Sequence, residues 1–186
     1  MSNFINKEEK KNSLEFEKKG FLVKDINEKE SLLKIRKIFI QEIKKNSLLK
    51  KKFKSDSNLL NSIHKHIPLI NLNKFRLKII NEVNKNAKLR ELYYQVSKKY
   101  LDAILGNELC MQKKINLSIQ LPEDNSSLLP IHSDVWSGDS PFETVVWLPL
   151  VDCYKTKSMF ILPPSKLPSL KNIFLKKKIF LVIKFF

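Results

Sequence analysis

The hydrophobic pattern of this 186-residue chain changes its period near Leu109, and this change restricts the possible folds more than any other feature. Before it, apolar residues recur at spacings of three and four, as on one face of an α-helix. After it, apolar and polar residues alternate, as in a β-strand with one buried face. Helices followed by short strands are typical of an α+β domain, which is therefore the predicted fold class.

Three apolar stripes predict helices in residues 1–106, and their side chains are expected to form a core. Asn27 is the predicted cap of the first helix, Pro68 precedes the second, and Gly106 ends the third. A polar, Lys-rich connection is predicted from Lys44 to Asn61. The stripes are Leu32, Ile35, Phe39 and Ile43; Leu72, Phe75, Ile79 and Val83; and Leu89, Leu92, Val96, Tyr100 and Ile104.

Residues 107–168 are predicted to form the β-part of the same domain, so one domain spans residues 1–168. The stretch from Pro122 to Pro130 has the composition of a polar turn. The strand candidates are the alternating run Ile115, Leu117, Ile119 and Leu121, then Thr144–Val151, then Ser158–Leu162, which Pro163 and Pro164 end.

The formal net charge of +16 suggests nucleic acid or an anionic membrane surface as a partner. The excess is almost entirely Lys, however, since the only arginines are Arg36, Arg76 and Arg90. Heavy use of Lys, Asn, Ile, Leu and Phe is what an A/T-rich gene would encode. Basic motifs interleaved with aromatic residues are also missing, so a nucleic-acid binder is the weakest of the functional alternatives.

The cysteines and the N-terminus indicate a cytoplasmic protein. Cys110 and Cys153 are too few for a disulfide scaffold and do not form a CxxC pair. The first residues contain no apolar run of signal-peptide length. No run approaches the roughly 18 apolar residues of a membrane span, so stable membrane insertion is not expected.

The tripeptide His132-Ser133-Asp134 is the sequence's main candidate for a chemical site. In an extended segment, residues i and i+2 point to the same face, so the imidazole and the carboxylate can converge on one cation. One nitrogen and one oxygen ligand suit Fe(II), and His-x-Asp is the first arm of the two-His-one-carboxylate site. A bare match occurs often by chance, and a surface His beside a turn Asp is the alternative interpretation.

The surroundings of the tripeptide resemble one enzyme family. Four segments occur in the family's order: the strand candidate that contains Gln120, then Pro130–Trp136, Phe142–Asp152 with its Trp-x-Pro-Leu motif, and Ser158–Lys166. They resemble the phytanoyl-CoA-dioxygenase-like branch of the 2-oxoglutarate/Fe(II) oxygenases, and more closely the oxygenases of sporadic carbohydrate-biosynthesis clusters. Leu60–His66 and Phe75–Glu82 are similar to that family's N-terminal region.

The resemblance implies a double-stranded β-helix, or jelly-roll, core and an oxidoreductase that uses Fe(II) and 2-oxoglutarate. The implied substrate is a small molecule, a sugar or nucleotide-linked sugar of surface-polysaccharide synthesis. His132 and Asp134 are the implied metal ligands. Gln120 is a candidate contact of 2-oxoglutarate or an exposed strand residue, and Trp136 a candidate for the substrate pocket. Trp147 is expected in the core.

The chain departs from the family after the tripeptide. The family completes the iron site with a distal His and binds 2-oxoglutarate with a basic residue, commonly Arg. Here no His follows His132 and no Arg follows Arg90. We therefore expect weak Fe(II) binding and little or no turnover. The alternative is an inactive jelly-roll fragment or a binding module.

The last residues, 169–186, form an atypical tail. From Leu170 they contain only Leu, Lys, Asn, Ile, Phe and Val. We interpret this tail as out-of-frame translation, which would make the chain a truncated or frameshifted family member. A basic amphipathic membrane anchor and a genuine edge strand are the alternatives.

Other polar residues are assigned less specific roles. His64 and His66 are expected to pack or lie in a loop, and could ligate iron only if the helical region folds over it. Lys155 and Lys157 are expected in solvent, with contact to an anionic substrate as the alternative. Cys153 has no basic neighbour in the sequence, so it is not expected to be a nucleophile.

Overall fold

A computed structural model describes residues 5–46, 49, 53–120, 132, 134, 138–166 and 168–169. Single turns of 3-10 helix lie at Ile63–Lys65, Lys155–Lys157 and Pro164–Lys166. No helix in this described part is both long and apolar enough to cross a membrane. The six α-helices with described ends are α1 Lys7–Lys19, α2 Lys29–Lys44, α3 Asp56–Ser62, α4 Leu69–Val83, α5 Leu89–Gln95 and α6 Lys98–Leu105.

The hydrophobic core lies where α2 packs against α4 and α5. The predicted stripes supply it, because the same faces of these helices are the buried ones. Burying each such side chain stabilises the fold by about 1.5–3 kcal/mol. The largest fully buried side chains are Phe75, Ile35, Leu59, Ile79, Leu89 and Val83.

The helix ends follow the predictions in part. Pro68 is the N-cap residue of α4, and Gly106 ends α6 with a φ of +87°. The predicted cap Asn27 is wrong, since α2 begins at Lys29 after Glu28 and has no side-chain cap. The third predicted helix is divided at Ser97, whose hydroxyl donates to backbone carbonyls of the preceding turn at 3.2–3.3 Å. Such bonds offer the backbone an alternative to the helix ladder.

The sequence reasoning overlooked two helices. Helix α3 lies inside the predicted polar connection, with Ser55 accepting a hydrogen bond from the Asn58 N–H at 3.1 Å. Helix α1 begins with a capping box between Asn6 and Glu9. It packs against α6, where the Lys99 ammonium lies 2.8 Å from a carboxylate oxygen of α1.

The predicted β-core is wrong for the described residues. Between residues 107 and 168 they contain no strand, so the α+β class with an incomplete jelly-roll is replaced by a helical domain with irregular segments. The candidates Thr144–Val151 and Ser158–Leu162 are both fully described and neither is a strand. Leu121, the stretch from Pro122 to Pro130 and the tail from Leu170 lie outside the described residues.

The predicted strands are absent from the described residues because side chains of the helices, and not neighbouring strands, bond to the backbone of these segments. Asn84, just after α4, donates to the Ile115 carbonyl at 2.9 Å and accepts from the Ile115 N–H at 2.8 Å. The Tyr93 hydroxyl of α5 donates to the Val146 carbonyl at 2.8 Å. In these segments, more exposed and less exposed residues alternate along the chain, as they would in a strand, but the described backbone is not paired in a sheet.

Candidate metal site

The two residues of the motif face one another closely enough to share a cation. The His132 Nε2 and Asp134 Oδ1 atoms are 3.5 Å apart, and the side chains are 41% and 50% exposed. With each donor at about 2.1 Å from a metal, this separation corresponds to an angle of roughly 110° at the ion. The Asp134 carbonyl also accepts a hydrogen bond from the Asp139 N–H at 3.4 Å. The i, i+2 spacing thus provides two adjacent donors.

A third protein ligand is not supplied by the residues that the structure describes. Among them, no group of three His, Cys, Asp or Glu side chains could hold a metal ion. This search includes His64 and His66, so the helical region does not bring a second imidazole to His132 and Asp134. A facial iron site takes three protein ligands. The described donors therefore do not by themselves fit a resident Fe(II) ion. The metal site predicted from the sequence is incomplete in the described part of the chain.

The motif's side chains are about half exposed, and the other predicted site residues that the structure describes are exposed as well. Gln120 is exposed, as expected for a polar residue of an alternating segment. Trp147 was expected in the core, but 43% of its surface is exposed. Trp136, the candidate for the substrate pocket, lies outside the described residues. Half-exposed donors keep water as a competing ligand, whereas a preorganised catalytic site excludes it.

The other two histidines belong to the helical region. The His66 ring packs edge-on against Phe53, with ring centroids 5.0 Å apart. His64 is partly buried, and burial lowers its pKa, with smaller effects from the charges of Lys65 and Lys157. A packing role agrees with these contacts.

The loop around Lys155 and Lys157 is a basic surface feature. The Lys157 ammonium lies 4.6 Å from the centroid of the Tyr154 ring, a cation–π contact. Lys155 has a φ of +50°, which is uncommon for a residue with a Cβ. Burial raises the pKa of the nearby Cys153 thiol. A neutral thiol is a poor nucleophile, which agrees with the expectation for this residue.

The comparisons with known proteins add no support to the family resemblance. No protein-family model, curated protein or solved structure matches this chain significantly. The family resemblance therefore rests on the sequence segments themselves and on the order in which they occur along the chain.

Two residues that organise this half of the molecule were missed from the sequence. Asn84 and Tyr93 fix the segments that begin at Ile115 and Glu143 onto the helices. The available signal was weak: Asn84 comes directly after the last apolar residue of a stripe, and Tyr93 lies beside Leu92. Neither position identifies a partner that is 31 or 53 residues away in sequence.

Proposed function

We propose that this chain is a member of the 2-oxoglutarate/Fe(II) oxygenases, of the branch that acts in carbohydrate and surface-polysaccharide synthesis. Its substrate would be a sugar or a nucleotide-linked sugar, and its compartment the cytoplasm. The observation that supports this function is the 3.5 Å approach of the His132 Nε2 and Asp134 Oδ1 atoms. Within the family's order of segments, this pair has the spacing and chemistry of the first two iron ligands.

We further propose that the activity of this chain is impaired. No His follows His132 and no Arg follows Arg90 in the sequence. The loss of a partner that only supports a ligand weakens metal binding or activity by roughly 10 to 100-fold, and the loss of a ligand itself costs at least as much. Without a guanidinium, the distal carboxylate of 2-oxoglutarate also lacks its bidentate partner. Gln120 and Trp136 stay candidates for cofactor and substrate contacts.

The second candidate function is binding without catalysis. It is favoured by the large apolar side chains that the structure leaves exposed beyond the helices, with Phe142 at 88% and Phe160 at 80%. Exposed apolar surface is a feature of interaction sites.

An anaerobic Fe(II) titration of the purified chain tests the proposed function. The variant His132→Ala removes one proposed ligand, and His64→Gln removes an imidazole that lies outside the motif. We expect weak Fe(II) binding that falls at least tenfold in His132→Ala and is unchanged in His64→Gln. Equal losses in both variants, or no Fe(II) binding at all, would contradict the proposed ligands and leave the binding function.

A further inference from the structure

The segment Glu143–Pro149 is attached to the helices through one of its two backbone edges. The Val146 carbonyl accepts a hydrogen bond from the Tyr93 hydroxyl at 2.8 Å, and Val146 and Leu148 are less exposed than Val145 and Trp147. This alternation in exposure is typical of an extended chain, in which the backbone groups of Val145 and Trp147 point to the edge opposite the Val146 carbonyl. In the described part of the chain, no hydrogen bond reaches the backbone of Val145 or Trp147.

The open edge is delimited at both ends. The Glu143 N–H already donates to the Ser140 carbonyl at 3.0 Å. Pro149 has no N–H to offer. The available donors are therefore Val145 and Trp147, placed symmetrically about Val146. Both residues are exposed, at 58% and 43% of their surface.

We propose that this edge is an interaction surface for a second copy of the same chain, added as an antiparallel strand in a register centred on Val146. In this register Val145 lies opposite the partner's Trp147, and each free N–H meets a free carbonyl. Glu143 lies opposite the partner's Pro149. Neither residue has a free N–H, so this register places the two residues without a donor opposite each other. The surface is self-complementary, as a two-fold interface requires.

The side chains and charges support self-pairing over other occupants. A β-branched residue opposite an aromatic residue is a favourable cross-strand pair, and this register forms it twice. Proteins protect open edges with lysines. In a chain of net charge +16, the stretch from Phe142 to Val151 contains no Lys and only one charged residue, Glu143. Two strongly basic copies can therefore pair at this surface without repulsion between opposing lysines of this stretch.

The proposal is tested by the oligomeric state of the full chain. Sedimentation equilibrium over a wide range of protein concentration is expected to show a weak monomer–dimer equilibrium, because so short a pairing is smaller than a standard interface. Val145→Pro removes a donor from each copy, while the matched control Val145→Thr keeps the N–H and the β-branched shape. With each hydrogen bond contributing roughly fivefold, we expect Val145→Pro to weaken association at least tenfold and Val145→Thr to preserve it.

Disulfide cross-linking tests the register independently if Val145→Pro disturbs folding. In a chain carrying Cys110→Ser and Cys153→Ser, Val146→Cys would face its symmetry mate at about 4.5 Å between Cα atoms, within disulfide reach. We expect oxidation to yield a covalent dimer with Val146→Cys and much less with Ser140→Cys. A monomer at all concentrations, equal dimerisation of Val145→Pro and Val145→Thr, or equal cross-linking at the two positions would overturn the proposal.

Discussion

Replacing Tyr93 by Phe tests how the segment Glu143–Val151 is held on the helices. The Tyr93 side chain is partly buried, and its hydroxyl donates to the Val146 carbonyl at 2.8 Å. Phe keeps the ring and removes only the oxygen, so the Val146 carbonyl loses its partner. A buried group without a partner costs roughly 1–3 kcal/mol, and relaxation toward water reduces this, so we expect a loss of about 2 kcal/mol at neutral pH.

The same variant changes the response of stability to alkaline pH. Burial raises the pKa of Tyr93 from 10.0 to about 12, partly offset by the Leu148 N–H. The unfolded chain therefore loses this proton first, so the stabilisation is complete below pH 10 and is lost as the pH rises through 12. Two pKa units correspond to about 2.7 kcal/mol, which is the upper limit of the alkaline loss that Tyr93 causes.

Urea unfolding between pH 8 and about 12, followed by helical circular dichroism, measures both effects. Lysine deprotonation contributes equally to the two proteins, so the difference between them isolates Tyr93. We expect the stability difference between wild type and Tyr93→Phe to shrink steadily above pH 10. If the two stability curves remain parallel over this range, Tyr93 is not a buried partner of the segment and the described attachment is wrong.

Three further predictions concern the helical region. Phe75→Ala should lower the free energy of unfolding by about 3–5 kcal/mol in urea titrations, because this ring is 1% exposed in the core. A loss below about 1 kcal/mol would contradict that core. Gly20→Ala should lower the melting temperature, because Gly20 has a φ of +75° and a Cβ there would lie 3.2 Å from Pro164 Cδ. Gly106→Ala, with positive φ but no atom within 4 Å, is the control and should lower it less. Finally, burial lowers the pKa of His64 from its ordinary value of 6.5, so stability is complete above pH 6.5 and falls as pH drops toward the lower pKa. His64→Gln should flatten this acid loss in pH-dependent unfolding, and an unchanged slope would contradict the burial of His64.

Hydrophobic spacing was sufficient to predict the core helices. The stripes containing Phe39 and Phe75 are buried in the structure as expected. A helix with one continuous apolar face is stabilised when that face packs against the core. The short helix Asp56–Ser62 escaped prediction, since two apolar residues among polar ones show no period. Its signal was the cap at Ser55 rather than its hydrophobicity.

The predicted strands failed for a different reason. Alternation from Ile115 correctly indicates that one face is turned to the core, but a strand also requires a neighbour to pair with. Whether that neighbour is a strand or the side chain of Asn84 or Tyr93 depends on contacts far away in sequence. His132 and Asp134 lie close together as expected, although Asp134 is in a 3-10 turn and not in the predicted extended segment. Their spacing could not supply a third ligand.

The most direct test of the proposed function is oxygen consumption by the purified chain with Fe(II) and 2-oxoglutarate, measured together with the release of succinate. We expect slow, His132-dependent decarboxylation at no more than about one hundredth of the rate of a family member that has both the distal His and the Arg. His132→Ala should abolish it, and added substrate sugar should not restore it. Turnover as fast as that of such a complete enzyme would contradict the proposed impairment, and activity unchanged in His132→Ala would contradict the site.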